Sequence, residues 1–489
     1  MARRDFAIAI TLAALVIVTR LPFATHFLFE WDSVLYAQAL EHGFQVSADL
    51  ADQRPHPPGY LFYLAAAALL RVVTGDSNSA LVALSIVASA GATVAVFLLA
   101  RRFARAELAG FVALAFAVDP LVWAHGEIAL PYIVLALGAT ALALLFWDAR
   151  EGGARRLLAA SVAFGLAAGF RQDLLLLLGP LWLWAAARHG PRLFPLGAIG
   201  IGAACLSWLV PSALLSGGLG AYLGAIAAQS GSITSQSVAS PAGADALSYN
   251  LRFTALALGW GLFAVGVLLA GLLIAPALHW ARHPRPIRIG ERGAFFLLWI
   301  GPGLVVYLAW IIGDWGYVLS ILPALYVLCA MLLERALGPA RGPALAAWRA
   351  LTTVIVVAAA LAFVFLSGRW SQAMLFTHDS STRARVVYIR AHFEPDRTVL
   401  LAREDYQQAR YYLGEYRAWL YDPGPARSGD PKKDVAGAAV VIFTPGLVLR
   451  QPVATLGVNV GGEGDRLSYV PAPAAAVQLF RVDPIAREP

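Results

Sequence analysis

Long apolar runs alternate with short charged turns along the first 370 residues of the chain. A helix needs about 20 apolar residues, within roughly 17 to 25, to cross the hydrocarbon core of a bilayer. Runs near this length recur and predict a helical protein that crosses a membrane many times. The predicted spans are residues 6–24, 80–100, 108–124, 129–147, 157–170, 174–187, 194–215, 251–278, 294–312, 317–335 and 350–367.

Two stretches of this pattern fit more than one interpretation. The short runs 157–170 and 174–187 are separated only by RQD, so they are either two spans or one interrupted helix. We favour two spans, because the charged turns then fall on the correct sides. The run PPGYLFYLAAAALLRVV, 57–73, begins with two prolines and would reverse all later loops if it crossed. We expect a helix at the outer interface, with a twelfth span as the alternative.

After residue 367 the pattern changes to short, alternating and more highly charged segments. Such segments are typical of strands, and a length of about 120 residues suits one small soluble domain. We therefore predict a membrane domain over 1–367, with a long outer loop at 25–79, and an α/β domain over 368–489. The predicted strands lie in RVVYIRAHF, RTVLLARED, AAVVIFTP and AAVQLFRV, and a helix is predicted in EDYQQARYYLG.

Composition supports a polytopic membrane protein that is mainly α. Of the 489 residues 59% are hydrophobic and 14% charged, and the mean hydropathy is +0.67; soluble domains have about 25% charged residues. The N-terminal run begins with charges, as a signal peptide does, but has no clear small-residue cleavage site, so we expect a retained first span. Cys205 and Cys329 both lie in apolar runs, and we expect no disulfide framework.

The basic residues orient the predicted helices. The net charge of +7 does not indicate nucleic acid here, because most basic residues before residue 368 lie in alternate turns between spans. The positive-inside rule makes those turns cytoplasmic. We predict a multi-pass protein of the cell (cytoplasmic) membrane, with a cytoplasmic N-terminus, eleven spans and an extracytoplasmic C-terminal domain. The basic turns are MARR, RRFARAE, DAREGGARR, RHGPR, HWARHPRPIRIGERG and ERALGPARGPALAAWR.

Ionisable residues collect on the predicted outer side. The loop 25–79 is long enough to be functional rather than a simple connector; it contains Glu30 and Asp32 in FLFEWDSVLY, and Arg54 and His56 in ADQRPHPPGY. Ionisable groups at a membrane boundary are costly, so their convergence near one membrane plane predicts a site. Further outer polar groups are HGE at 125–127, RQD at 171–173 and GDWGY at 313–317.

Each of these residues also has a purely structural explanation. Asp32 or Ser33 can be the N-cap of a short amphipathic helix that follows. His56 can be a solvated turn residue, Glu127 can end a span, and Arg171 can anchor to lipid head groups. We interpret three tryptophans as members of the aromatic belt at the membrane interface rather than as rings on which a sugar stacks. They are Trp31, Trp123 and Trp315.

One chemistry requires such an arrangement. A lipid-linked phosphosugar presents its head group at the membrane surface, and transfer of its sugar needs a carboxylate that deprotonates an acceptor hydroxyl or holds a divalent ion. It also needs a cation that neutralises the departing phosphate. Both groups act most strongly where the dielectric constant is low, as at a helix boundary beneath a soluble domain.

Four ordered motifs resemble those of a known family. An acidic motif of the form Asp-x-x-x-Tyr occurs in WDSVLYAQAL, and HPPGYLFYL follows it. A second acidic motif lies in HGEIALPYI, and a Tyr-x-(x)-Leu-Pro-Ala-Leu segment late in the membrane part appears as GYVLSILPALYVL. Over roughly residues 5–370 the chain resembles the GT-C membrane glycosyltransferases, which include the protein O-mannosyltransferases, the aminoarabinose transferases and the bacterial group named after the Rgt lipopolysaccharide transferases.

The resemblance implies roles for individual residues. Asp32 would be the principal catalytic carboxylate, as base or as ligand of a divalent cation (Mg or Mn), and Glu127 would take the second acidic role. The chain departs from the family pattern at Asp32-Ser33, where many members have Asp-Glu, and it lacks a basic residue before Tyr317. The implied substrate-binding residues are Glu30, Tyr36, Arg54, His56, Arg171 and Tyr317, with Arg54 and Arg171 as candidates for the phosphate.

The function expected from these observations is that of a bacterial cell-envelope enzyme. It is an inverting glycosyl transfer from a polyprenyl-phosphate sugar to a hydroxyl of a lipid, polysaccharide or protein, with membrane lipids as surroundings and no nucleic acid partner. A flippase or transporter of a lipid-linked sugar or polymer is the alternative. Such transporters usually place ionisable groups near the midplane within internally repeated halves, a pattern that this sequence does not show. A transferase-like protein without activity is a third possibility.

Overall fold

The fold is given by a computed structural model of the chain. The residues that it describes are 3–49, 53–235, 237–241, 243–283, 289–310, 313–338, 343–366, 368, 370–420, 439–444, 468–472 and 475–481.

The chain divides into two compact units. Met1–Ala24 and Ala39–Met374 form the first, which we call the membrane unit. Thr25–Gln38 and Leu375–Pro489 form the second, the C-terminal unit. This division differs from the predicted one, which set a single boundary after residue 367, because part of the first outer loop belongs with the end of the chain.

Helices make up the membrane unit. Short 3₁₀ turns at Leu21–Phe23 and Trp315–Ser320 supplement them. The helices up to residue 365 are α1 Arg3–Arg20, α2 Trp31–His42, α3 Leu61–Thr74, α4 Ser77–Ala100, α5 Ala106–Val118, α6 Pro120–His125, α7 Tyr132–Ala149, α8 Ala154–Ala167, α9 Asp173–Ala187, α10 Leu193–Leu215, α11 Leu219–Ser235, α12 Gly243–Gly261, α13 Gly266–Arg282, α14 Glu291–Ala309, α15 Leu322–Leu337 and α16 Pro343–Phe365.

The predicted multi-pass membrane architecture is confirmed, because each predicted span coincides with a helix or a pair of helices. Within the described residues, α1, α4, α7, α10, α14 and α16 are each long and apolar enough to cross a membrane. The pair α12 and α13 passes the same test together but is bent by 108°. The total of eleven crossings stays a prediction.

Two predicted spans are each divided into two α-helices in the structure. The run 108–124 is divided into α5 and α6 at Asp119, because Pro120 has no N–H to donate and restricts the residue before it. The Asp119 carboxylate accepts the N–H of Leu121 at 3.2 Å and the hydroxyl of Tyr326 at 2.9 Å. The run 251–278 is likewise two helices, with the break after Gly261, and glycine is a poor helix former.

The two ambiguous stretches take definite forms. The runs on either side of RQD are the separate helices α8 and α9, as predicted. The run 57–73 contains α3, whose 14 residues extend about 21 Å, less than the roughly 30 Å of a hydrocarbon core. Helix α3 is followed by Gly75, whose φ of 85° favours glycine, and α3 packs against α4. Its location at the outer interface stays a prediction.

The C-terminal unit contains a small sheet flanked by helices. The strands follow the order β2-β1-β3-β5-β4, with β1 parallel to β2 and β3, and β5 antiparallel to β3 and β4. Val386, Ile389, Leu400, Val441 and Phe443 belong to its core. The elements are α17 Gln372–His392, β1 Thr398–Ala402, α18 Tyr406–Tyr412, β2 Arg417–Leu420, β3 Ala439–Ile442, β4 Ser468–Ala472 and β5 Ala475–Arg481.

The predicted α/β character of this region is confirmed, with one element of the wrong type. RVVYIRAHF was predicted as a strand but lies in helix α17 and its end. Its buried residues Arg385, Val386 and Ile389 follow helical spacing, and the sequence pattern concealed this because one of them is an arginine. The strands in RTVLLARED, AAVVIFTP and AAVQLFRV and the helix in EDYQQARYYLG are present, whereas β2 and β4 were not predicted.

Candidate functional site

The first acidic motif lies at the start of α2, in the C-terminal unit. The helix begins at Trp31, so Asp32 occupies its first turn, where the positive end of the helix dipole favours a carboxylate. The carbonyl of Glu30 accepts the first helical N–H, from Val34 at 3.4 Å. The expectation that Asp32 or Ser33 is the N-cap is therefore wrong, because the helix starts earlier. Glu30 and Asp32 are half-buried, whereas Tyr36 is fully buried.

Side chains of α17 and α18 hold the segment that leads into this helix. The Asp379 carboxylate accepts the N–H of His26 at 2.6 Å and that of Phe27 at 3.3 Å. The N–H of Leu28 donates to the Tyr412 hydroxyl at 2.8 Å. His378 Nε2 lies 3.3 Å from the carbonyl of Leu28. The backbone just before Asp32 is thus fixed within the C-terminal unit.

Burial sets the charge state of His378. Its ring packs on Phe29 at 4.9 Å between centroids. Burial lowers the pKa of His378 to about 4, although the nearby Asp405 carboxylate opposes the shift. The ring is therefore neutral at neutral pH.

A buried arginine and three tyrosines form the centre of the polar groups in the membrane unit. Arg171, only 3% exposed, pairs with Asp173 at 2.7 Å between Nη2 and Oδ2. Its guanidinium lies over the rings of Tyr60, Tyr132 and Tyr317, at 5.2, 4.9 and 5.5 Å. We call these five residues the Arg171 cage. Burial lowers the pKa of Arg171, but Asp173 together with Tyr60 and Tyr132 more than offsets this, so the pKa lies well above its ordinary value.

A histidine and a carboxylate adjoin this cage. His125 is fully buried, and its Nε2 lies 3.6 Å from Oδ1 of Asp314. Its Nδ1 lies 2.8 Å from the carbonyl of Leu121, which a donor N–H at that nitrogen would satisfy. The His125 ring contacts Tyr132 edge-on at 5.7 Å between centroids. The stretches 125–132, 171–173 and 314–317, which are far apart in sequence, thus meet at Tyr132, and Arg171 also contacts Tyr60.

Glu127 lies in a different environment, beside a second buried arginine. The indole N–H of Trp123 donates to Glu127 Oε1 at 2.5 Å, and the Arg20 guanidinium lies over the Trp123 ring at 4.4 Å. Burial raises the pKa of the Glu127 carboxyl, and the charge of Arg20 opposes that shift. Glu127 is fully buried, so in this conformation it interacts with protein groups.

The proline-rich part of the outer loop holds its own ionisable residues. Arg54 donates to the carbonyl of His42 at 2.8 Å and to the side chain of Gln45. His56 Nδ1 lies 2.7 Å from the carbonyl of Pro57, and its ring meets Tyr60 edge-on at 5.3 Å. His56 therefore reaches the Arg171 cage through Tyr60, while Arg54 stabilises the loop.

The predicted site residues fall into two sets. Glu30, Asp32 and Tyr36 belong to the C-terminal unit, and the other predicted residues belong to the membrane unit. Within the latter, the Arg171 guanidinium lies over Tyr60 and Tyr317, and His56 meets Tyr60, whereas the Glu127 carboxyl is under the influence of the Arg20 charge. Among the residues that the structure describes, no group of three or more His, Cys, Asp or Glu residues is arranged to hold a metal ion.

Sequence reasoning missed several members of this arrangement. Asp173 and Asp314 lie in the stretches RQD and GDWGY, which had been noted as outer polar groups, so their position was the available signal. Tyr60 belongs to the HPPGY motif. Tyr132 lies in the HGEIALPYI motif but was not singled out there, because a tyrosine at the start of an apolar helix is typical of a membrane interface.

Comparison with known proteins shows the fold. No family model matches the chain, and no curated protein matches it in sequence. The structure of ArnT from Cupriavidus metallidurans bound to undecaprenyl phosphate is 13% identical, with a TM-score of 0.56 over 98% of each chain. The structure of ArnT from the same organism in the apo state is also 13% identical, with a TM-score of 0.55 over 97% of each chain.

A further similar structure is the Archaeoglobus fulgidus oligosaccharyltransferase tethered with an acceptor peptide. It is 13% identical, with a TM-score of 0.49 over 89% of this chain and 68% of the other.

ArnT is an aminoarabinose transferase of the GT-C class, and this chain matches it along almost its full length. The protein is therefore a multi-pass membrane protein with the GT-C fold, accompanied by a small α/β C-terminal unit.

Proposed function

We propose that the protein transfers a sugar from a polyprenyl-phosphate donor to a hydroxyl acceptor at the outer face of a bacterial cytoplasmic membrane. The observation that supports this best is the full-length likeness to a structure described as bound to undecaprenyl phosphate. Asp32 at the start of an ordered helix supplies the carboxylate that the reaction needs.

The proposed reaction is a single displacement with inversion. The Asp32 carboxylate takes the proton of the acceptor hydroxyl, and the acceptor oxygen attacks the anomeric carbon opposite the phosphate. The bond between that carbon and the phosphate oxygen breaks, and the polyprenyl phosphate leaves with the electron pair. The products are the inverted glycoside and polyprenyl phosphate, and the proton passes from Asp32 to solvent.

The phosphate needs a positive partner, for which Arg171 and Arg54 are the predicted residues. Arg171 is buried and paired with Asp173, so a phosphate would compete with that carboxylate for the guanidinium. Arg54 already donates to the loop that contains it. A role for either residue in phosphate binding therefore requires a rearrangement of its present hydrogen bonds.

A divalent ion is a separate question. The described residues offer no three-ligand protein site, and Mg²⁺ is commonly bound through one or two carboxylates together with substrate phosphates. Chelation with EDTA tests directly whether the reaction needs a divalent ion.

The test is transfer of radiolabelled sugar from polyprenyl-phosphate donors in membranes that contain the protein. Wild type should transfer label, and Asp32→Asn should lower the rate by about 100-fold or more, since general-base catalysis contributes roughly 10²–10⁴-fold. Asp49→Asn is the matched control, because Asp49 is an exposed aspartate of the same loop. Loss on EDTA addition would indicate a required metal. An unchanged rate in Asp32→Asn would remove that residue from the mechanism.

A further inference from the structure

The backbone immediately before Asp32 has no regular structure of its own. Residues 24–30 lie between the 3₁₀ turn at Leu21–Phe23 and helix α2. Their peptide groups therefore lack the partners that a helix or a sheet would supply, and partly buried peptide groups need such partners from elsewhere. Leu28 in this segment is fully buried.

Three side chains of the C-terminal unit supply those partners in register. Asp379 takes the N–H groups of His26 and Phe27, at 2.6 and 3.3 Å. Tyr412 takes that of Leu28 at 2.8 Å. Gln408 Nε2 donates to the carbonyl of Phe29 at 3.5 Å, the longest of these contacts. Each successive residue from 26 to 29 is thereby bonded to α17 or α18.

Ring contacts run parallel to these hydrogen bonds. Phe27 packs on Tyr412 at 5.2 Å between centroids, and Trp31 packs on Tyr406 at 5.9 Å. One ring contact thus lies within the segment, at Phe27, and the other lies just after it, at Trp31, the first residue of α2. A shift of the segment by one residue would break the hydrogen bonds and the ring contacts together.

We propose that Asp379 and Tyr412 are positioning residues that fix where α2 begins and hence where the Asp32 carboxylate points. This inference rests on the proposed function for the importance of Asp32. A catalytic group must be held to within about 0.5 Å by residues that are themselves locked in place. The carboxylate of Asp379 is suited to that task, because charge-assisted hydrogen bonds to backbone N–H groups are the stronger kind.

The first arm of the test measures the segment itself. Amide hydrogen exchange is followed by mass spectrometry over residues 26–29 in wild type, Asp379→Ala, Asp379→Asn and Tyr412→Phe. Loss of a hydrogen bond to a charged group is expected to speed exchange by about tenfold or more. Asp379→Asn keeps one acceptor oxygen and should give a smaller effect. Tyr412→Phe keeps the ring that packs on Phe27 and should affect Leu28.

The second arm measures transfer by the same variants. The expected result is a fall in kcat by about tenfold for Asp379→Ala, a smaller fall for Asp379→Asn, and little change in the donor KM, since misplacement of a catalytic group acts on the chemical step. Asp396→Asn is the control, because Asp396 is an exposed aspartate of the same unit. Tyr412→Phe provides a second variant if Asp379→Ala does not fold.

The outcomes separate the two proposals. Exchange in the variants equal to that of wild type, or faster exchange with unchanged kcat, would overturn the positioning role while wild-type transfer stands. If the amount of folded protein and the total activity fall by the same factor, kcat per folded molecule is unchanged. That result would also overturn the positioning role. No transfer by wild type with any donor would overturn the proposed function itself, whatever the exchange shows.

Discussion

Replacement of Arg171 tests whether the Arg171 cage stabilises the membrane unit. Arg171→Gln removes a guanidinium that is 3% exposed and leaves Asp173 without the partner that it has at 2.7 Å. Breaking a buried ion pair by removing one partner costs roughly 3–5 kcal/mol, because the other charge stays buried. The side chain of Asp173 is 26% exposed and recovers some hydration, so we expect the lower end, about 3 kcal/mol.

The matched control differs from this change in burial and in the three tyrosine rings that surround the Arg171 guanidinium. Arg102 pairs with Asp148 through the same two-point geometry, at 2.9 and 2.6 Å, but the two side chains are 45% and 36% exposed. Exposed pairs contribute up to about 1 kcal/mol. Thermal unfolding in detergent should therefore show a fall in Tm on the order of 5 °C for Arg171→Gln and of about 1 °C for Arg102→Gln.

A double variant separates the lost contact from the stranded charge. Arg171→Gln with Asp173→Asn removes the unpaired carboxylate and should recover about half of the lost stability. Equal shifts for Arg171→Gln and Arg102→Gln would refute the reasoning. So would a double variant that is less stable than Arg171→Gln alone.

Two further predictions concern the C-terminal unit and the Arg171 cage. Because burial lowers the pKa of His378 from 6.5 to about 4, the unfolded state binds more protons between those values, and stability should fall as pH falls from about 6.5 towards 4. The loss of stability at pH 5 should be about 2 kcal/mol, which thermal unfolding at several pH values would measure. His378→Gln should remove this loss. An unchanged pH dependence in that variant would contradict the assignment of the loss to His378. Gly316→Ala should displace Tyr132, because a Cβ at residue 316 would overlap the Tyr132 ring. Gly313→Ala is the control, because the side-chain atom nearest to a Cβ at residue 313 is 3.6 Å away. We expect a lower Tm for Gly316→Ala but not for Gly313→Ala, and equal Tm values would count against the packing around Tyr132.

The membrane architecture could be predicted because a bilayer imposes a length and a composition on every span. Helices α1, α4, α7, α10 and α14 follow directly from that pattern. The breaks within the predicted spans could not be located as easily, because the chain of α12 and α13 carries no charged residue from 253 to 278, on both sides of the bend, and passes for one long run.

The grouping of residues 25–38 with the end of the chain had no local signature. Asp379, Gln408 and Tyr412 are polar residues of ordinary helices, and only the fold shows that they bond to residues 26–29. The buried Arg385 misled for the same reason, because its partners Asp405 and the carbonyl of Phe443 lie elsewhere in the sequence. Long-range partners decide which polar residues are buried.

The roles of the candidate site residues stay predictions, whereas the structure gives their contacts. Of the residues in the outer motifs, Arg171 lies over Tyr60 and Tyr317, and His56 meets Tyr60. The effect of the Arg20 charge on Glu127 was not expected, because Arg20 lies in the first predicted span and had no role in the motifs. An arginine that ends an apolar helix looks like an interfacial anchor until its partner is known.

The most direct measurement of the central claim uses purified protein in liposomes with a polyprenyl-phosphate sugar donor. Release of polyprenyl phosphate, sugar incorporation into acceptor, and movement of intact donor between leaflets are followed together, for wild type and for Asp32→Asn. The account predicts that wild type releases polyprenyl phosphate in step with sugar incorporation and that Asp32→Asn does neither. Movement of intact donor across the bilayer without release of polyprenyl phosphate would contradict it and would favour a transporter.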